Sequence, residues 1–185
     1  MKIITFSKEA ITDFLNNHLD KSEVDMSKFA VIRISSSLFL EPLPEEIPEE
    51  NIETFNFCDI EEDLWEKHKK QLIESEDREE EITGIRPRHS PITDQEATEI
   101  VDFVERMREK NVKMLFIHCD AGLCRSRTVA TAVAKFILKD KEQEEEFLND
   151  PSTIISKTIM KKIEKAIKEN KNENSETQLQ NLCKP

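Results

Sequence analysis

Glycine is almost absent from this chain: Gly84 and Gly122 are the only two among 185 residues. Tyrosine is missing altogether. Positive charge is in short supply, with 27 Lys and Arg against 39 Asp and Glu and a formal net charge of -12. That balance disfavours nucleic acid or an anionic membrane as a partner, and it requires any anion site to be built by local geometry. No apolar run approaches the length of a membrane span. The opening MKIITFSKEA reaches charged residues at once and lacks the apolar core of a signal peptide. Four cysteines without a secretory signal read as thiols in a reducing compartment, so a cytoplasmic protein is expected. There are no internal repeats.

What is present alternates between strand and helix patterns. MKIITFS reads as a strand and KEAITDFLNNHL as a helix with Ser7 as N-cap. KFAVIRISS is an apolar run suited to a buried strand, and IETFNFCDI is a third strand candidate. The prolines of EPLPEEIPEE mark a loop between them. Residues 61–83 are strongly acidic, and Leu64, His68 and Leu72 recur at helical spacing over part of that segment. TGIRPRHSPITDQEA is a basic loop ending in the capping-box pattern Thr93 to Glu96. A helix with Ile100, Val104 and Met107 on one face follows. VKMLFIH then has the continuous apolar character of a central parallel strand. Residues 126–138 form a helix apolar almost all round, and residues 152–169 a helix with an Ile155, Ile159, Ile163, Ile167 stripe. The expected fold is a three-layer α/β/α domain over residues 1–170, its central sheet mostly parallel and flanked by helices. The acidic helical segment at 61–83 is an insertion, and residues 171–185 are a polar, flexible tail.

The junction HCDAGLCRS, residues 118–126, is costly in composition. It places His118, Cys119, Cys124, Arg125 and one of the two glycines where a buried strand passes into a buried helix. Five residues separate Cys119 from Arg125. A loop of that length can turn the backbone N–H groups of Asp120, Ala121, Gly122, Leu123, Cys124 and Arg125 inward, and the helix N-terminus adds its free amides and positive dipole end. The product is a cup for a tetrahedral dianion. Gly122 supplies a backbone angle or a close approach that a side chain would forbid. Arg125 offers a planar fork to two phosphate oxygens. The same surroundings favour the ionised form of Cys119, and Ser126 can donate to its sulfur. His118 would order the loop through ring hydrogen bonds. Attack by Cys119 on phosphorus would give a cysteinyl phosphate.

This stretch resembles the signature of the cysteine-dependent protein tyrosine phosphatase superfamily: His-Cys, five residues, Arg, then Ser or Thr. It stands complete as His118, Cys119, Arg125 and Ser126, with Ala121-Gly122 as in many dual-specificity members. The resemblance covers about residues 28–165 and is weak outside the signature. It implies a central sheet with flanking helices, no metal and no cofactor. The alternative is a plain strand–helix junction with two structural cysteines.

The family protonates the leaving oxygen with an aspartate on a separate loop, and the match falls on Asp59 in FNFCDIEE. Asp59 lies 60 residues before Cys119, about twice the usual family spacing, which the 61–83 insertion would account for. Asp94 and Asp63 are the rivals; Asp94 near a helix start also serves the helix dipole. Cys124 resembles the second loop cysteine of the low-molecular-weight phosphatases, which can trap an oxidised nucleophile as a disulfide. Cys58 is a second candidate trap, and a small buried hydrophobe is the plain alternative for Cys124. A zinc set of His118, Cys119, Cys124 and Cys58 has none of the usual spacings. Arg86, Arg88 and His89 are either a rim that recruits an anionic substrate or a solvated loop. The cup contains no lysine, unlike many phosphoinositide phosphatases of the superfamily, and its residues do not resemble those of RNA triphosphatases. The resemblance therefore implies a phosphomonoester hydrolase acting on phosphotyrosine, or on phosphotyrosine and phosphoserine/threonine, in proteins, or on small phosphoesters. With no aromatic clamp apparent and no tyrosine, a shallow dual-specificity-like pocket is expected. A phospho-binding pseudophosphatase and an arsenate reductase are the other readings.

Overall fold

Ser7 closes the first strand and opens the first helix. Strand β1 (Lys2–Ser7) runs into α1 (Lys8–Asp13), whose first turn is capped by the Ser7 hydroxyl accepting from Ala10 N at 3.2 Å. The helical path continues through a wider π-type turn at Phe14–His18. Strand β2 (Phe29–Ser35) and strand β3 (Ile52–Asn56) follow, then the long α2 (Glu62–Thr83). Helix α3 (Asp94–Glu109) begins with the predicted capping box between Thr93 and Glu96. Strand β4 (Met114–Cys119) leads into α4 (Arg125–Ala132), extended by a π-type turn at Val133–Leu138. Helices α5 (Lys141–Asn149) and α6 (Lys157–Leu182) complete the chain. This computed structural model describes residues 1–20, 23–36, 42–83 and 88–182.

The four strands form one parallel sheet in the order β1-β4-β2-β3. Side chains alternate between its two faces. From β2 and β4, Ile32, Ile34, Leu115, Ile117 and Cys119 join Ile100, Val104, Val129, Val133, Ile159 and Ile163 in the larger core, beneath α3, α4 and α6. Phe29, Val31 and Phe116 join Ile11 and Leu15 in the smaller core on the α1 side. Phe116 meets Phe29 edge-on at 5.2 Å between centroids. Helices on both faces of a parallel sheet make the expected three layers.

Two boundaries differ from the sequence expectations. Helix α5 was not expected, because KEQEEEFLN buries only Gln143 and Phe147 and shows no apolar stripe; its start is marked by Asp140 accepting from Gln143 N. Helix α6 starts at Lys157 and its backbone stays helical to Leu182, through most of the stretch expected as a tail. No glycine or proline interrupts residues 157–182. No helix among the described residues is long and apolar enough to cross a membrane.

Candidate active site

The alternation along β4 sends its last two side chains in opposite directions. His118 points to the α1 side and Cys119 to the α4 side, at the carboxyl end of the sheet. The chain then turns through residues 120–124 and enters α4 at Arg125. Gly122 makes this turn possible. Its φ is +74°, and a Cβ there would lie 2.6 Å from Ser7 N and 2.9 Å from Phe6 C. The loop therefore rests directly on the end of β1.

The turn brings donors onto the Cys119 sulfur. Gly122 N–H donates to Sγ at 3.2 Å, and the Ser126 hydroxyl lies 3.2 Å from it. No hydrogen bond within the described residues takes up the amides of Ala121, Leu123 or Cys124. Arg125 is buried and held from two sides: Nη1 donates to Phe57 O at 3.0 Å, Nη2 to Asp120 Oδ2 at 2.8 Å. Two of its five donors are thus used to aim the guanidinium, and three remain for a ligand.

The sequence reading assigned Asp120 only a backbone role, but its carboxylate joins the loop to the end of β2. It accepts from Ser35 Oγ at 2.8 Å, Ser36 Oγ at 3.0 Å and Ser36 N at 3.2 Å, besides Arg125. Burial would raise this carboxyl, but the bonds from Arg125, Ser35 and Ser36 prevail and hold it below the usual range. Arg127 braces the other side, donating to Gly122 O at 2.9 Å and Thr153 Oγ1 at 2.8 Å and pairing with Asp150. Neither Ser35, Ser36 nor Arg127 was singled out from sequence. The serines meet Asp120 more than eighty residues on, and Arg127 reaches Asp150 and Thr153 more than twenty residues on, so no local pattern announces them.

Asp59 lies exposed just beyond β3, beside Cys124 of the cup. Cys58 Sγ approaches Asp59 Oδ1 at 3.6 Å. Burial raises the Cys58 thiol, and the Asp59 charge raises it further. The Cys124 thiol is pushed up to about 12, by burial first and then by Asp59 beside it. Asp59 thus neighbours both thiols, and its charge opposes their ionisation. Asp94 is placed differently: Lys162 and Lys165 hold its two oxygens at 2.9 and 2.7 Å, where α3 meets α6. Asp63 lies exposed on α2.

The structure corrects the role expected of His118. The ring is 2% exposed, and neither nitrogen has a hydrogen-bond partner among the described residues. Burial, with the Arg33 charge nearby, lowers its pKa to about 4, and the neutral ring makes no hydrogen bond to the loop. Because His118 and Cys119 face opposite ways, the zinc set with Cys124 and Cys58 is not assembled. Among the described residues no three His, Cys, Asp or Glu side chains converge as metal ligands. Arg88 is bound to Glu96 at 2.6 Å and contributes to the frame of the loop. His89 N donates to Glu76 Oε1 at 2.7 Å. Arg86 lies outside the described residues.

Two large apolar side chains stand open beside the cup. Leu123 is 41% exposed and Ile154 60% exposed, and Ile154 N donates to Leu123 O at 3.1 Å.

No protein-family model and no curated protein sequence matches the chain. Solved structures do. The PTP-2 phosphatase of Cydia pomonella is 13% identical with a TM-score of 0.48, covering 89% of this chain and 84% of its own. PTPMT1 in complex with PI(5)P is 14% identical with a TM-score of 0.49, covering 94% of each chain. Tk-PTP in the active form is 16% identical with a TM-score of 0.42, covering 90% of each chain. With these identities and TM-scores, the chemistry of the site has to be argued from its own residues.

Proposed function

We propose that this protein hydrolyses phosphomonoesters through a cysteinyl-phosphate intermediate. The observation that carries the proposal is the convergence on Cys119. Its sulfur receives the Gly122 amide and lies against the Ser126 hydroxyl, at the floor of a loop whose next residues lead to a buried, aimed arginine. Those donors stabilise a sulfur anion. A phosphate seated on the loop has its peripheral oxygens met by the amides of residues 120–125 and by the free donors of Arg125.

In the first step the sulfur attacks phosphorus. An S–P bond forms, the P–O bond to the leaving group breaks, and the Asp59 carboxyl gives its proton to the departing oxygen. In the second step the Asp59 carboxylate takes a proton from water. That water attacks phosphorus, the S–P bond breaks, and inorganic phosphate leaves. Ser126 donates to the sulfur as it departs. The anionic transition states in both steps are held by the amides and Arg125. Asp59 is favoured over Asp94 because it lies beside Cys124 of the cup, whereas Asp94 is held by two lysines at the α3–α6 contact.

The substrate class we favour is phosphotyrosine, or phosphotyrosine with phosphoserine/threonine, in proteins. The open Leu123 and Ile154 side chains suit an apolar leaving group, and the nearby Arg127 and Arg88 are engaged by Asp150 and Glu96. Cys124, buried in the loop that begins with Cys119, is the candidate thiol for trapping a sulfenic acid on the nucleophile. Turnover of para-nitrophenyl phosphate under reductant tests the chemistry. The wild type should turn over and Cys119→Ser should not. Phosphotyrosyl and phosphoseryl peptides and a phosphoinositide micelle, run in parallel, test the substrate class. A folded wild type that binds vanadate but turns over none of these is a phospho-binding pseudophosphatase.

A further inference from the structure

The proposed acid sits on a surface loop, and an exposed loop aspartate has no reason to hold a catalytic position. The residues around it supply one. Two residues after Asp59, the Glu61 carboxylate is drawn into the first turn of α6. Its Oε1 accepts from Ser156 Oγ at 3.1 Å and Lys157 N at 3.0 Å. Its Oε2 accepts from Thr158 N at 3.1 Å and Thr158 Oγ1 at 2.7 Å. The Thr158 hydroxyl in turn accepts from Glu62 N at 3.2 Å, so the start of α2 and the start of α6 are locked together. A carboxylate at a helix N-terminus, with all four bonds charge-assisted, is among the firmer attachments available to a loop.

That attachment shares its anchor with the phosphate cup. Ser156 N donates to Thr128 Oγ1 at 3.1 Å, and Thr128 lies on α4 one turn after Arg125. On the other side of Asp59, Phe57 O receives Arg125 Nη1, and Cys58 N donates to Ser90 O at 2.9 Å. The far end of α2 closes the circuit: Glu76, 7% exposed, accepts from His89 N beside that same Ser90. The acidic helix thus braces the Asp59 loop at both ends.

We propose that Glu61 is a positioning residue for Asp59, fixing the acid-bearing loop to the α4–α6 junction so that the acid is preset instead of delivered by a closing lid. This rests on the assignment of Asp59 as the acid, and the experiment separates the two. The full chain would be assayed with para-nitrophenyl phosphate, which has a good leaving group, and with phenyl phosphate, which needs the acid. Asp59→Asn should lose far more kcat/KM with phenyl phosphate; equal loss of kcat/KM with both refutes the acid assignment itself. Given that dependence, Glu61→Ala should lower kcat/KM, which reports the first step alone, at least about tenfold for phenyl phosphate and less than about threefold for para-nitrophenyl phosphate. Glu61→Gln, which keeps one acceptor oxygen, should fall between. The decisive readout is the double variant: in an Asp59→Asn background, Glu61→Ala should cost nothing further. A loss independent of the leaving group, or one that adds fully to that of Asp59→Asn, overturns the proposal. Thr158→Val removes the shortest of the four bonds from the other side and carries the same test should Glu61→Ala fail to fold.

Discussion

A single methyl group at position 122 should dismantle the cup. Gly122 has φ +74°, and the Cβ of Gly122→Ala would lie 2.6 Å from Ser7 N, 2.9 Å from Phe6 C and 3.0 Å from Phe6 O. All three are backbone atoms of β1, a strand held in register with β4 from Lys2↔Met114 to Ser7↔Cys119. They cannot swing aside as a flexible side chain would. The left-handed angle costs alanine about 1–2 kcal/mol, and the forced displacement about 1–3 kcal/mol more. A middle total of about 3.5 kcal/mol lowers Tm by about 7–14 °C for a chain of this size. Activity should fall further than stability. The loop can relieve the clash only by lifting off β1, which draws the Gly122 amide away from the sulfur it now meets at 3.2 Å. A displacement of about 1 Å at the reacting centre can cost about a hundredfold in rate. Thermal unfolding followed by circular dichroism, with aryl phosphate turnover and vanadate binding on the same samples, measures both effects. A Gly122→Ala protein with Tm within 2 °C of wild type and undiminished turnover would refute the claim that contact with β1 shapes the cup.

Other perturbations separate the roles of individual residues. His118 is lowered to about 4 in the folded chain from an ordinary 6.5, so the unfolded state binds more protons between those values. Stability should therefore fall on acidification through that window, by about 2 kcal/mol between pH 7 and pH 5, and His118→Asn should flatten the fall in urea midpoints. Arg127→Ala frees Gly122 O, Asp150 and Thr153 together and should weaken vanadate binding about tenfold; Arg127→Lys should not restore it, since one ammonium lacks the planar fork. Asp94→Asn should leave turnover of phenyl phosphate within about twofold and cost stability about 1 kcal/mol or less, because Asp94 and Lys165 are more than half exposed; a hundredfold loss of activity would make Asp94 the acid instead of Asp59.

Much of this architecture is legible in the residues before any coordinates. The apolar run before Cys119 and the apolar residues after Ser126 are both local signals, and each element lies where its pattern places it. The Ser7 and Thr93 caps are equally local, and both form. Glycine scarcity made Gly122 stand out, and its contact with β1 supplies the reason. The missed features depend on distance along the chain. Glu61 meets the start of α6 nearly a hundred residues later, and Ser35 meets Asp120 across 85 positions. A glutamate in an acidic stretch or a serine after a strand looks the same whether or not such a partner exists. His118 was misjudged for a related reason. Its place before the nucleophile suggests contact with the loop, whereas strand alternation turns the ring to the other face of the sheet.

The central claim is that Cys119 becomes phosphorylated during turnover. Acid quenching of the wild type within milliseconds of mixing with an excess of para-nitrophenyl phosphate, followed by mass spectrometry of the peptide containing residues 114–125, tests it directly. The account predicts one phosphoryl group on Cys119, formed in step with a burst of nitrophenol and absent from Cys119→Ser. Steady hydrolysis with no burst and no phosphorylated cysteine, undiminished in Cys119→Ser, would contradict it.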